Sequence, residues 1–283
     1  MSRSRRPPLG QVFLTDRRAQ QRIIDALELR PEDAVLEIGA GPGNMTERLA
    51  AQSARVFAVE VDPRLVQGLR AKFAENPRVE IIEADILEFP IDSVAARAGR
   101  ERLKVFGNLP YYITSPCLLH LFHHHRAIEE IVATVQWEVA RRITASPGTA
   151  DYGLLSVTCR YYAQPELLFR IPPKAFRPQP QVHSAVVRLR MAPQKEALGI
   201  PEEAQFLRFV KASFAQRRKT LWNNLKAEWG GEAVRQAMEQ CGIPERARAE
   251  ALSLEQFAGL HRTLREEKSA TSPAGSGGGR HTS

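Results

Sequence analysis

The chain has little cysteine, no long apolar run and no internal repeat. Its three cysteines, Cys117, Cys159 and Cys241, are odd in number and share no close spacing, which counts against a disulfide framework and a zinc knuckle and fits a reducing cytoplasmic compartment. The basic start "MSRSRRPPLG" is not followed by the apolar segment of a signal peptide, and no later stretch is long enough to span a bilayer, so neither export nor membrane insertion is expected. The run "HLFHHHRA" holds His120, His123, His124 and His125. Consecutive helical positions face different sides and no cysteine or carboxylate stands at ligand spacing, so these read as a solvated helix end and no metal is expected.

What remains is 283 residues of which 43% are hydrophobic, enough for one large domain and a small one. A formal charge of +8 and a sequence pI near 9.7 suggest a polyanionic partner, although a solvated basic surface has the same balance. Helical spacing in "RRAQQRIIDALEL" gives way to "AVLEIGAGPGNMTERLA", which reads as strand, glycine turn and helix. "RVFAVEVDP", "VEIIEAD" and "LKVFGNLP" read as further strands, with "RLVQGLRAKFA" a helix between them, and such alternation means a parallel α/β sheet with right-handed crossovers. "IVATVQW", "LLSVTCRYY" and "SAVVRLRM" look like the last strands, with a helix from about Glu138. After Met191 the pattern is helical only. The expected division is therefore a basic arm at 1–15, a sheet domain at 16–191, a helical domain at 192–266 and a disordered Gly/Ser-rich tail at 267–283.

Three strand ends carry groups suited to one ligand. Gly39, Gly41 and Gly43 lie at a strand-to-helix turn, where the backbone can come close to a ligand at the carboxyl edge of an open sheet. The dinucleotide fingerprint would need glycine at position 44, where Asn44 stands, so an adenosine and amino-acid site fits better than a pyrophosphate cradle. Glu60 ends the second strand, where a carboxylate can accept from both ribose hydroxyls, and Asp85 follows the third, within reach of an adenine amine. A structural glycine turn with solvated carboxylates is the plainer alternative.

The fourth strand runs into "GNLPYYITSP". An exocyclic adenine amine is a poor nucleophile, because its lone pair is delocalised into the ring. Acceptors aimed at its N–H groups favour the pyramidal nitrogen of the transition state. Asn108 offers a side-chain oxygen, Pro110 holds Leu109 extended so that its carbonyl points in a fixed direction, and Tyr111 can stack on the base. A target in a duplex would first be flipped out of its stack. Tyr112 is expected to be a core aromatic.

The stretches "EIGAGPGNMT", "VEVD", "EAD", "GNLPYYITSP", "AFRPQPQVHSAVVRL" and "FAQRRKTLWNNL" resemble the bacterial small-subunit rRNA adenine N6,N6-dimethyltransferase family, from about Leu9 to about Leu264. The resemblance implies a Rossmann-like class I S-adenosylmethionine methyltransferase sheet with a small all-helical C-terminal domain. It implies dimethylation of two adjacent adenines in the 3'-terminal hairpin loop of 16S rRNA, within an immature 30S subunit, by a monomeric cytoplasmic enzyme that needs no metal. Carried onto this chain, Gly39 and Gly41 belong to the cofactor loop, Glu60 to the ribose contact, Asp85 to the adenine contact, and Asn108, Leu109 and Tyr111 to the target base. Phe176 matches a second aromatic that would close on the flipped adenine, and Leu14 a position that helps cover the cofactor. Val12 stands where the family usually has Asn or His, so any polar contact to the cofactor there must be lost or replaced by backbone. Trp137 replaces a common Lys. Arg217, Arg218 and Lys219 are candidate phosphate contacts, with a solvated face the alternative. Rival readings are a 23S rRNA adenine methyltransferase of the antibiotic-resistance type, a non-catalytic 30S assembly factor and, more weakly, a DNA N6-adenine methyltransferase.

Overall fold

The computed structural model of the chain describes residues 12–110 and 112–271, with side chains as far as residue 266. The expected roles of Tyr111, of the arm before Val12 and of the tail beyond Thr271 lie outside the described residues. The chain falls into two compact units, one formed by residues up to 144 with 162–193, the other by 145–161 with residues from 194 onward.

In the first unit β1 (Phe13–Leu14) leads into α1 (Arg17–Ala26), capped by Asp16, whose carboxylate accepts from the Ala19 N–H at 2.8 Å. There follow β2 (Ala34–Ile38), α2 (Asn44–Gln52), β3 (Arg55–Glu60), α3 (Pro63–Lys72), β4 (Val79–Glu83), α4 (Ile91–Ala98), β5 (Leu103–Asn108), α5 (Thr114–His123), β6 (Ile128–Gln136) and α6 (Trp137–Thr144). After α7 (Leu154–Tyr162) come β7 (Ala163–Ile171), β8 (Phe176–Arg177) and β9 (Ser184–Met191). The helical unit adds α8 (Glu203–Ser213), α9 (Leu221–Trp229), α10 (Gly231–Gln240) and α11 (Leu254–Thr271).

The main sheet has seven strands in the order β4-β3-β2-β5-β6-β9-β7, and β1 pairs separately with β8. Pairings from β4 to β6 are parallel, whereas β9 runs antiparallel to both β6 and β7. The sheet is thus mixed, not parallel throughout as the strand-helix alternation suggested. β2 is buried along its whole length, as a strand covered on both faces must be. The amino ends of the strands are tied down by the buried Lys104, whose Nζ donates to the carbonyls of Leu27 at 2.7 Å and Glu28 at 3.0 Å and lies 3.2 Å from Glu130. This fastens the end of α1 and leaves the opposite, carboxyl edge of the sheet open for a site.

Two expectations are corrected. "LLSVTCRYY" is helix α7 and not a strand: Val157 and Tyr161, one turn apart, are both buried, and the Thr158 hydroxyl donates to the Leu154 carbonyl at 2.9 Å. The strand actually present is the next segment, β7, which holds Pro165 and survives because it lies at the sheet edge. The tail reading also began too early, since residues 267–271 continue α11.

Candidate functional site

Asn108, Glu60 and Gly39 each stand at or just past the carboxyl end of a strand, and parallel pairing brings those ends side by side. Together with Val12 and Asp85 they line one cavity of about 320 Å³. Five of the residues singled out in the sequence are therefore neighbours in space.

The glycine turn is built around Glu60. This buried carboxylate accepts from the Gly41 N–H at 2.9 Å through Oε2, and from the N–H groups of Val61 at 2.9 Å and Asp62 at 3.0 Å through Oε1. Three backbone donors hold it rigid and use three of the roughly four lone-pair sites of a carboxylate, leaving about one for a ligand hydroxyl. Gly41 has a positive φ of 57°, and a Cβ there would come within 2.9 Å of the Phe13 ring, so this glycine is required by the fold around the site. Gly39 differs: its missing side chain faces open space at the cavity wall.

β5 passes so close to β2 that a Cβ on Gly107 would lie 2.7 Å from Leu109 and 3.2 Å from Ile38. The close approach seats Leu109, which is buried and donates its N–H to the Thr134 carbonyl at 3.0 Å. Asn108 donates its Nδ2 to the backbone carbonyl of Val12 at 2.8 Å. That bond orients the amide and makes Oδ1 the acceptor it can offer. Val12 thus takes part through its backbone, with Asn108 as its partner.

Leu14 was expected to help cover the cofactor and Phe176 to close on the flipped adenine. They pair with each other across β1 and β8 and are buried in the hydrophobic core, Phe176 at 1% exposure, and neither lines the cavity. Among the described residues, the N-terminal ones on the cavity wall are Val12 and Phe13. Tyr112 is a correction: expected in the core, it is 60% exposed and lines the cavity beside Pro110. Sequence reading also missed Val61 and Ile86, apolar walls directly after Glu60 and Asp85, which that adjacency could have revealed. Glu37 was missed as well. It is 1% exposed within β2, and burial first, with the neighbouring Glu60 charge adding, pushes its carboxyl up to about 8 against the pull of Thr46 and Lys72.

Arg217, Arg218 and Lys219 lie in the helical unit before α9, whose start is capped by Thr220. Arg217 is engaged within that unit, donating to the Ala150 carbonyl at 3.0 Å and lying 3.5 Å from Glu250. Arg218 and Lys219 are exposed, and their side chains have no partner among the described residues. The histidine run is used locally: His124 pairs with Asp92 at 2.7 Å, and His120 meets the Phe89 carbonyl at 2.8 Å. Among the described residues no cluster of His, Cys, Asp or Glu is arranged to hold a metal, and no helix is long and apolar enough to cross a membrane.

The cavity suits S-adenosylmethionine by its donor set. A rigid carboxylate and a more exposed one stand on adjacent strand ends between apolar walls, a glycine with no side chain opens the turn, and the net negative lining favours a cation.

The family model described as "Ribosomal RNA adenine dimethylase" matches residues 2–266. Over 273 residues the chain is 45% identical to a protein of Koribacter versatilis (strain Ellin345) named "Ribosomal RNA small subunit methyltransferase A", which spans 93% of this chain and 95% of that protein. Among solved structures it is similar to the 23S rRNA methyltransferase ErmE, with a TM-score of 0.67 and 29% identity, covering 89% of this chain and 99% of that one. A dimethyladenosine transferase from Plasmodium falciparum gives a TM-score of 0.73 at 20% identity over 90% of this chain and 98% of that one, a likeness of fold.

Proposed function

The chain belongs to the ribosomal RNA adenine dimethylase family, and we propose that it methylates N6 of two adjacent adenines in the 3'-terminal hairpin loop of 16S rRNA, twice each, on an immature 30S subunit. It is an S-adenosylmethionine-dependent rRNA adenine dimethyltransferase. The observation that carries the reading is the convergence of Gly39, Glu60, Asp85 and Asn108 on one cavity. Cytoplasmic location and a monomeric state belong to the same proposal.

When bound, S-adenosylmethionine supplies a methyl made electrophilic by its sulfonium. The chain's part is to bind and orient. Glu60 accepts from a ribose hydroxyl and Asp85 from the adenine amine of the cofactor. Asn108 Oδ1 and the Leu109 carbonyl accept from the N–H groups of the target amine, which favours the tetrahedral nitrogen that forms as the methyl transfers. Holding the two reactants in line supplies much of the remaining rate. No side chain of this set has to act as a base, because the proton can leave to water once nitrogen carries the charge.

The test is transfer of labelled methyl from S-adenosylmethionine to unmethylated 30S subunits, with 23S rRNA and duplex DNA in parallel and the modified base mapped. Label as N6,N6-dimethyladenine at two adjacent positions near the 16S 3' end is expected. The 29% identity to a 23S rRNA methyltransferase supports a second reading, which label on 23S rRNA would favour. Tight 30S binding without label would leave only an assembly role.

A further inference from the structure

We propose that Tyr112 is a substrate-positioning residue whose ring stacks on a purine base of the RNA at the mouth of the cavity. The proposal rests on the reading of the chain as an RNA adenine methyltransferase. Most large apolar side chains of the sheet unit are buried, so an aromatic ring left 60% exposed on a cavity wall is an unusual expense of apolar surface.

The ring is not carried on a loose loop. The Ile113 N–H donates to the Pro110 carbonyl at 3.1 Å, the Thr114 hydroxyl donates to the same carbonyl at 3.1 Å, and the Cys117 N–H donates to Ile113 at 2.8 Å as α5 begins. Thr114, Cys117 and Leu118 behind it are buried. The start of α5 therefore gives Tyr112 a fixed platform, four residues on in sequence from Asn108, where the amide meets the target amine. A rigid, half-wet aromatic surface suits a flat partner that arrives and leaves, and every base has a π-face to offer.

The partner is an RNA base rather than the cofactor's own adenine. Asp85 and the buried Ile86 supply a polar and an apolar contact for that adenine on the β4 side, whereas Tyr112 belongs to the segment that follows β5 and carries the target-binding amide. A substrate with two adjacent adenines has a neighbouring purine to be held while the first one reacts, and Tyr112 gives it a surface.

The experiment compares Tyr112→Ala, Tyr112→Leu and Tyr112→Phe for methyl transfer to unmethylated 30S subunits, with S-adenosylmethionine affinity measured by calorimetry. Tyr112→Ala is expected to lower kcat/KM by roughly 5- to 150-fold, mostly through KM, which corresponds to about 1–3 kcal/mol for one stacked base. Tyr112→Phe should restore most of the loss and Tyr112→Leu little of it, while cofactor affinity stays within about twofold in all three. Full rescue by leucine, failure of phenylalanine to rescue, or an equal drop in cofactor affinity overturns the proposal. An active parent whose alanine variant is unimpaired sinks the stacking role alone, whereas a folded parent that labels no RNA sinks the methyltransferase reading and takes this proposal with it.

Discussion

At the scale of single residues, the acidic strand ends were legible because polarity interrupts an apolar run there: Glu60 ends "RVFAVE" and Asp85 follows "VEII". Glu37 was not legible, since a carboxylate inside a strand looks like an exposed alternate until both sheet faces are covered. Its Oε2 has no hydrogen-bond partner among the described residues. With the folded-state value raised to about 8 from an ordinary 4.5, native protein keeps a proton that the unfolded chain releases. The contribution to stability is full below about 4.5 and is lost as pH rises through about 8. Glu37→Gln removes this loss, so the variant should gain on the parent between those limits, by on the order of a few kcal/mol, read as melting temperature against pH. Parallel curves for the two proteins would mean that Glu37 is ionised throughout. For Asn108, alanine should cut the transfer rate by roughly 10²–10³-fold with 30S binding largely intact. Equal losses in both would remove it from the chemistry and leave it as a clasp on the Val12 carbonyl.

At the scale of elements, strands β2, β3, β5 and β6 were readable from apolar runs punctuated by glycine or acid, which is what burial on both faces demands, while β4, an edge strand with no buried residue, was readable from its position in the strand-helix alternation. α7 and β7 exchanged identities because "LLSVTCRYY" is rich in β-branched and aromatic residues, while "AQPELLFRI" contains a proline. Local preference yielded to position, since an edge strand tolerates proline and a buried helix face tolerates valine and tyrosine. The loop before α9 shows a finer distinction that charge counting cannot make. Arg217 is spent on Ala150 and Glu250, leaving Arg218 and Lys219 as the cations available to phosphate. Replacing Arg218 and Lys219 by glutamine should weaken RNA binding and lower the slope of log affinity against log salt by roughly 0.7–0.9 per lost contact. Arg217→Gln should change the slope little. A slope unmoved by the double variant would make the whole cluster a solvated face.

At the scale of the whole molecule, the sequence suggested a single crossing from sheet to helices near Met191, yet residues 145–161 group with the C-terminal helices. Nothing in composition announces this, because the segment is joined to its partners only by contacts distant in sequence. The Tyr152 hydroxyl donates to the Leu252 carbonyl at 2.9 Å, the Gly148 N–H to the Glu250 carbonyl at 2.8 Å, and the Tyr161 hydroxyl to Glu203 at 3.2 Å. Tyr152, Val157, Cys159 and Tyr161 are all buried in that setting. A chain cut after residue 193 would therefore keep the sheet and strip the cover from these side chains, exposing large apolar surface and unpaired hydroxyls. Such a fragment is expected to bind a hydrophobic dye and to aggregate without a cooperative melt. Replacing 145–161 in the same fragment by a short Gly/Ser linker should restore solubility and a single transition. If the simple truncation is already monomeric and melts cooperatively, the segment belongs energetically to the sheet unit after all, and the boundary near Met191 read from periodicity would be the better description of the chain.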